Sequence, residues 1–380
     1  MQNNNNNSNK LHKIPVWIDC DPGHDDTVAI LMLCFHPAFD LRGVSTCYGN
    51  ADPDRTDYNA RSLLTALGMS GSVNVYRGAQ RPWVKIPTYA PYIHGESGLD
   101  GSDLLPEPSF EDAVDVDFVQ AVRRAAVESH GQLAFVSTGP LTSFATLLRD
   151  DPGVMEYIRF VSVMGGSFDG VGNKNAKMSA EFNIWSDPHA ANYVFHHESV
   201  RGKLILCPLN MTHEVIATEK VMQRIRYGND SAENEGKGTK LRSMFYQLFM
   251  FFKKTYMNNM GFREGPPIHD PTTLIPLLDL TGWDKCGSKN FASRYHLCTY
   301  HKMNINVVED LDNPDSGMCI AEPCSSSNSN PEEQCLFDCY VTVCDHIDVN
   351  YFWEQVFYCL CKAEKHSTIE TPATDAEKGE

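Results

Sequence analysis

Short apolar runs alternate along this chain with longer stretches whose apolar residues recur at helical spacing. Runs at 16–18, 41–46, 73–76, 133–137, 160–164, 203–207, 304–308 and 340–343 are rich in β-branched and other apolar residues and predict strands. Helical patterns fall at 28–35, 58–67, 117–128, 141–148, 188–196, 221–227, 240–258, 271–278 and 351–362. Strands that alternate with helices predict an α/β fold built on an open, mostly parallel sheet with helices on its faces.

In such a sheet, ligands bind beyond the carboxyl ends of the strands. That rule selects DCDPGHDD at 19–26, Tyr48-Gly-Asn50 after the second run, Thr138-Gly-Pro-Leu141 after the run 133–137, and Gly165-Gly-Ser167 after the run 160–164. Each is a polar or glycine-rich turn.

Both ends of the chain fall outside the pattern. Residues 1–13 carry an asparagine tract with no apolar core and no cleavage signal, and they read as a disordered tail rather than a targeting peptide. Residues 363–380 are charged and poor in apolar side chains, so a second disordered tail is expected there. A single domain is expected over 14–362, with a polar surface loop at 228–238 and a variable, cysteine-containing insertion at about 310–334. No apolar run is long enough to span a bilayer, and the cytoplasm or nucleus is the expected location.

Charge and cysteine content narrow the partners. Lysine and arginine number 32 against 49 acidic residues, a formal charge of −17, which disfavours nucleic-acid polymers and anionic membranes. A nucleic-acid-related substrate would have to be small and uncharged. The thirteen cysteines are expected to stay reduced. Late in the chain only Cys335/Cys339 and Cys319/Cys324 approach zinc-ligand spacing, and Cys344, Cys359 and Cys361 extend no such pattern, so thiols are expected rather than zinc.

The turn at 19–26 places four aspartates in eight positions between two apolar segments. A solvated turn and a helix cap account for one or two of them. Crowded carboxylates between core segments otherwise repel, and a bound hard cation removes that cost. An EF-hand counted from Asp19 fails, because His24 stands where glycine is needed and Ile30 where the bidentate glutamate belongs. A haloacid-dehalogenase-type phosphatase is matched only by Asp19-Cys-Asp21.

A third family is matched far more widely. DCDPGHDD resembles the signature of the inosine-uridine-preferring nucleoside hydrolases, which cleave N-ribosidic bonds. Further stretches match in order: Tyr48-Gly-Asn50, IHGESGLDG at 93–101, STGPLT at 137–142, MGG at 164–166, AEFNIWSDPHAA at 180–191 and GPPIHDP at 265–271. The resemblance covers about 14–362 and is greatest to the fungal, uridine-cleaving branch. It implies a nucleoside-hydrolase fold, a mixed sheet with a Rossmann-like core, and a homo-oligomer, dimer or tetramer. It also implies uridine hydrolysis to uracil and ribose in pyrimidine salvage. Alternatives are a broader riboside hydrolase, or a nonhydrolytic nucleoside- or ribose-binding protein of the same fold.

The family's site residues carry over by position. The resemblance implies a calcium ion held by Asp21, Asp26, the backbone carbonyl of Thr138 and Asp270. Calcium takes six to eight oxygen ligands, which suits that set. Asp21 would also be general base toward the attacking water, and Asp25 would face the ribose 2′-hydroxyl. Asp19 is either a supporting carboxylate or a direct participant. Asn183 and Glu181 match the ribose clamp, with Asn50 and Met164 completing the pocket. Asn175 matches the 5′-hydroxyl contact, and Asn173 is its rival, since Lys177-Met178 replaces the Thr-Pro of many relatives. His94, His269 and Tyr256 match the base end. Asp21 and His269 are the expected catalytic residues, while the acid for a pyrimidine leaving group stays open among His269, Tyr256 and water. None of the five tryptophans falls in a base-pocket motif, and 86–101 is a candidate mobile lid.

Overall fold

The structure is a computed structural model that describes residues 12–113, 116–228, 238–283, 296–323 and 340–370. The asparagine tract, most of the 228–238 loop and the second half of the insertion lie outside the described residues. So do Cys324, Cys335 and Cys339.

A nine-stranded sheet in the order β3-β2-β1-β4-β5-β6-β9-β7-β8 organises the described chain. Its strands are β1 (Ile14–Cys20), β2 (Phe39–Thr46), β3 (Val75–Arg77), β4 (Leu133–Ser137), β5 (Ile158–Met164), β6 (Leu204–Cys207), β7 (Cys298–Val307), β8 (Cys319–Pro323) and β9 (Val341–Ile347). Strands β3 through β9 in that order pair in parallel, and β7 is antiparallel to both β9 and β8. The mixed, mostly parallel α/β sheet expected from the alternation is therefore present.

Alternation along the central strands explains why they sit inside. In β1, Val16, Ile18 and Cys20 join the apolar core on one face, while Trp17 joins the core on the other. In β4, Ala134 and Val136 go to the first core, and Leu133 and Phe135 to the second. Strands covered on both faces read as nearly continuous apolar runs, as parallel strands must.

The chain runs β1 to β3 in one direction along the sheet and β4 to β6 in the other. Between β1 and β4 the direction reverses, and a crevice opens beyond their carboxyl ends. The turns after β1, β2, β4 and β5 converge there.

Two departures concern the late chain. Strand β8 lies within the segment read as a variable insertion, where five residues give too short a signal. Residues after 362 are not a free tail up to Glu370. The helix Val349–Ala363 ends at Glu364, whose carboxylate accepts from buried Arg242 at 2.6 and 3.1 Å. Ser367 and Thr368 then donate to the Ala66 and Thr65 carbonyls at 2.7 and 2.6 Å, and Ile369 packs on the core. Charge hid this, because the segment is held largely by polar bonds.

Truncation after Lys362 should therefore lower the unfolding free energy by about 3 kcal/mol, chiefly by leaving the buried Arg242 guanidinium without its carboxylate. Urea denaturation checks this; an unchanged midpoint would mean that the segment packs without contributing.

Candidate active site

The acidic turn begins where β1 ends. Asp19, Asp21, Asp25 and Asp26 are all buried, and Asp270 joins them from the far side of the crevice. Asp26 opens the helix Asp26–Phe35, where its Oδ2 accepts from Gly23 N at 2.9 Å and its Oδ1 from Thr138 Oγ1 at 2.8 Å. Asp25 Oδ2 accepts from His269 N at 3.2 Å. Asp21 Oδ2 accepts from Asn50 N at 2.7 Å, while its Oδ1 is buried with no partner among the described residues. Backbone donors from three turns thus hold the carboxylates in place.

Their ionisation is strongly disturbed. Burial, reinforced by the Asp26 charge, pushes Asp25 up to about 7. Asp21 is raised further, by burial and then by Asp26, and Asp270 by burial and by Asp25, Asp26 and Asp21. Asp19 is lifted to about 7 by burial, against a 2.5 Å bond from Ser45 Oγ; among the described residues its Oδ2 has no hydrogen-bond partner. Asp19 faces Ser45, which fits a supporting carboxylate, and like Asp21 and Asp26 it is not among the residues lining the cavity.

Asp25, Asp26 and Asp270 bring carboxylate oxygens within 4.8 Å of one another. An all-oxygen donor set, mutual repulsion and the unpartnered Asp21 Oδ1 fit a hard cation. The trio includes Asp25, which sequence reasoning gave to the ribose, and not Asp21, whose Oδ2 is turned to Asn50 N. The Thr138 carbonyl accepts from Asn183 Nδ2 at 2.8 Å.

Beside this cluster lies a cavity. Asp25, Asn50, Thr138, Met164, Glu181, Asn183 and Asp270 line it together with His94, Tyr256 and His269. Glu181 caps the short helix Phe182–Ser186, accepting from Asn183 N, Ile184 N and Gly166 N at 2.8, 3.1 and 3.0 Å. Burial nonetheless lifts it to about 7. Asn183 Nδ2 donates to the carbonyls of Thr138 and Met164, so its Oδ1 is left for a donor.

Asn175 does not reach the cavity. Its φ is 63°, its Nδ2 donates to Ser179 Oγ and the Ser316 carbonyl, and its Oδ1 accepts from Lys177 N and Ser179 N. Asn173 lines the cavity instead, with a buried Oδ1 that has no hydrogen-bond partner among the described residues. The tight 173–180 turn consumes the Asn175 amide, and spacing alone could not separate the two.

His269 lies between Thr212 Oγ1, 2.7 Å from Nδ1, and Tyr256 Oη, 2.9 Å from Nε2. Burial holds His269 well below the ordinary histidine range and Tyr256 well above the ordinary tyrosine range. Both are therefore uncharged at neutral pH. Tyr92, Ile93, Phe182, Leu209 and Met260 add apolar wall that sequence reasoning missed. Phe182 sits inside the quoted AEFN stretch; Leu209 comes from a helix of four residues, Leu209–Thr212, too short to show a period. No tryptophan lines the cavity. The second half of the lid segment is tied down: Asp100 accepts from Glu96 N and Ser97 N, and Asn59 Nδ2 donates to the Ser97 carbonyl.

Comparison with known proteins agrees with this geometry. The model of the inosine-uridine preferring nucleoside hydrolase family matches residues 16–354. The chain belongs to that family. It is 47% identical over 359 residues to the uridine nucleosidase of Saccharomyces cerevisiae, covering 94% of this chain and 99% of that one. It is 34% identical over 273 residues to the pyrimidine-specific ribonucleoside hydrolase RihB of Shigella sonnei, covering 72% and 80%. In fold it matches the purine-preferring ribonucleoside hydrolase of Gardnerella vaginalis with a TM-score of 0.74 at 24% identity, over 92% and 99% of the two chains. As a nucleoside hydrolase, it acts on N-glycosyl bonds.

The raised carboxyls of this hydrolase carry a stability signature. Asp25 moves from 3.8 to about 7 on folding, so its contribution is present below pH 4 and lost as pH rises toward 7. Asp19 behaves alike. With chelator present, the melting temperature should fall between about pH 5 and pH 7, and a divalent cation should raise it more at pH 8 than at pH 5. Scanning fluorimetry with and without chelator tests this; a cation effect independent of pH would contradict binding at these groups.

Proposed function

We propose that this hydrolase cleaves uridine to uracil and ribose with calcium as its cation. The observation that carries the reading is a cavity lined by the polar side chains of Asp25, Asn50, Glu181, Asn183 and Asp270 together with two histidines and a tyrosine, and free of tryptophan among its lining residues. The identity to a uridine nucleosidase supports the base preference.

Asp26, Asp270 and the Thr138 carbonyl would hold the ion, with Asp25 and Asp21 beside it. When bound, such an ion neutralises the carboxylates and makes a nearby water more acidic. Asp21, through its unpartnered Oδ1, takes the proton of the attacking water. Asn183 Oδ1 and Glu181 accept from ribose hydroxyls and fix the sugar while positive charge grows at its anomeric carbon. The departing uracil is met by the Tyr256 and His269 pair, whose hydrogen bond holds a proton at the base end. We further infer a role in pyrimidine salvage, in the cytoplasm, for a homo-oligomer whose single domain starts near Ile14 and extends to Glu370.

Ribose release from uridine, inosine, cytidine and nicotinamide riboside, with calcium and after chelation, tests the proposal. Uridine should be the best substrate, chelation should abolish turnover, and Asp21→Asn should lower kcat about a thousandfold. No ribose from any nucleoside, with the protein folded and calcium added, would overturn it.

The two asparagines can be separated as well. Asn173→Ala should raise KM for uridine about tenfold, with little further change for 5′-deoxyuridine, while Asn175→Ala should act on stability rather than on that comparison. The reverse pattern would return the 5′ contact to Asn175.

A further inference from the structure

Between β7 and β8 the chain makes a loop over residues 308–318, within the stretch that reads as a variable insertion, and no step of the hydrolysis uses it. The loop is nonetheless firmly built. Val308 N donates to the Met318 carbonyl and Gly317 N to the Val308 carbonyl at 3.0 and 2.8 Å, and Asn313 Oδ1 accepts from Asp315 N at 2.9 Å. Gly317 has a φ of 80°, and a Cβ there would stand 2.6 Å from Trp185 Cα, so the loop is seated on the helix Phe182–Ser186 that carries Asn183.

Its other neighbour is the 173–180 turn. That turn is costly to hold, because Asn175 and Met178 both adopt left-handed backbone, with φ of 63° and 54°. Residues with a Cβ resist this conformation, which persists only where the surroundings over-determine it. Asn173 N and Lys174 N each donate to the Ala180 carbonyl at 2.9 Å and close the turn at its base.

The 308–318 loop supplies the outside anchors. Asn175 Oδ1 accepts from Lys177 N and Ser179 N, which fixes the sense of its amide. Its Nδ2 then donates to Ser179 Oγ at 3.0 Å and to the Ser316 carbonyl at 3.1 Å, and Ser179 Oγ passes its own hydrogen to Asp315 Oδ1 at 2.9 Å. Lys177 Nζ pairs with Asp315 Oδ2 at 2.5 Å, but an exposed pair of this kind contributes little. The Ser179 bond is the firmer anchor.

What the turn carries is cavity wall. Asn173 lines the cavity with an Oδ1 that has no hydrogen-bond partner among the described residues. Lys174 sets its ammonium 4.6 and 5.2 Å from the ring centres of Tyr92 and Phe182, which line the same cavity. Asp315 itself is not among the lining residues.

We infer that the 308–318 loop buttresses the nucleoside pocket, and that Asp315, acting through Ser179, is a positioning residue that holds Asn173 Oδ1 toward the 5′-hydroxyl of the substrate. This rests on the proposed assignment of that hydroxyl to Asn173. The class of substrate it favours is the riboside whose 5′ oxygen carries a hydrogen to donate.

The test compares kcat/KM for uridine and 5′-deoxyuridine in wild type, Asp315→Ala, Asp315→Asn, Asn173→Ala and the double variant Asp315→Ala with Asn173→Ala. Asp315→Ala should cut the preference for uridine about fivefold, through KM rather than kcat, the worth of one hydrogen bond. Asp315→Asn keeps an oxygen for Ser179 Oγ and should retain the preference. Adding Asp315→Ala to Asn173→Ala should change the ratio no further, since both act on one contact. A wild-type preference in Asp315→Ala, with Asn173→Ala having lost it, overturns the inference; so does a loss in Asp315→Asn equal to that in Asp315→Ala, because the ion pair would then be the support. If Asn173→Ala keeps the preference, the assignment of the 5′ contact fails instead, and hydrogen exchange still judges the buttress. In the substrate-free full chain the peptide 173–180 should exchange at least about fivefold faster in Asp315→Ala than in wild type or Asp315→Asn. Equal rates overturn the inference.

Discussion

Mutual repulsion among buried carboxylates is the constraint around which this molecule is arranged. Asp19, Asp21, Asp25, Asp26 and Asp270 are buried together, where like charges cannot all ionise without a counter-charge. The sheet topology makes the crowding unavoidable. Reversal of strand order between β1 and β4 brings the first turn against Asn50 from β2 and Thr138 from β4, while Asp270 closes the other side. Backbone N–H groups of Gly23, Asn50 and His269 each hold one carboxylate, which fixes positions without removing the charge. The remaining imbalance is what a hard cation and hydroxyl donors can relieve.

Much of this was legible along the chain, and for definite reasons. Four aspartates in eight residues cannot be a mere turn, and the position of DCDPGHDD after a fully apolar strand predicted a buried site at a strand's carboxyl end. Long periodic segments such as 188–196 were read at the bounds the structure gives, Pro188–His196. What escaped was short or settled by side-chain competition. Helices Pro91–His94, Phe182–Ser186 and Leu209–Thr212 span too few residues to show a period, yet each supplies cavity wall. Asn173 and Asn175 differ only in which amide the local turn consumes. Charge misled the reading after 362, because Glu364 serves a buried arginine rather than solvent.

The supporting bonds also decide what the cavity offers. Asn183 spends its amide hydrogens on the Thr138 and Met164 carbonyls, Glu181 turns to backbone donors and keeps lone pairs, and Asn173 Oδ1 has no partner. Asp25 and Asp270 add further oxygens. This wall is therefore a field of acceptors, whose complement is a set of hydroxyl donors. A free ribose moiety meets that demand at its 2′, 3′ and 5′ positions. A phosphate does not, since it brings only acceptors and negative charge to a wall that already has both, on a protein of net charge −17. Nucleosides rather than nucleotides follow from the hydrogen-bond sense of this wall.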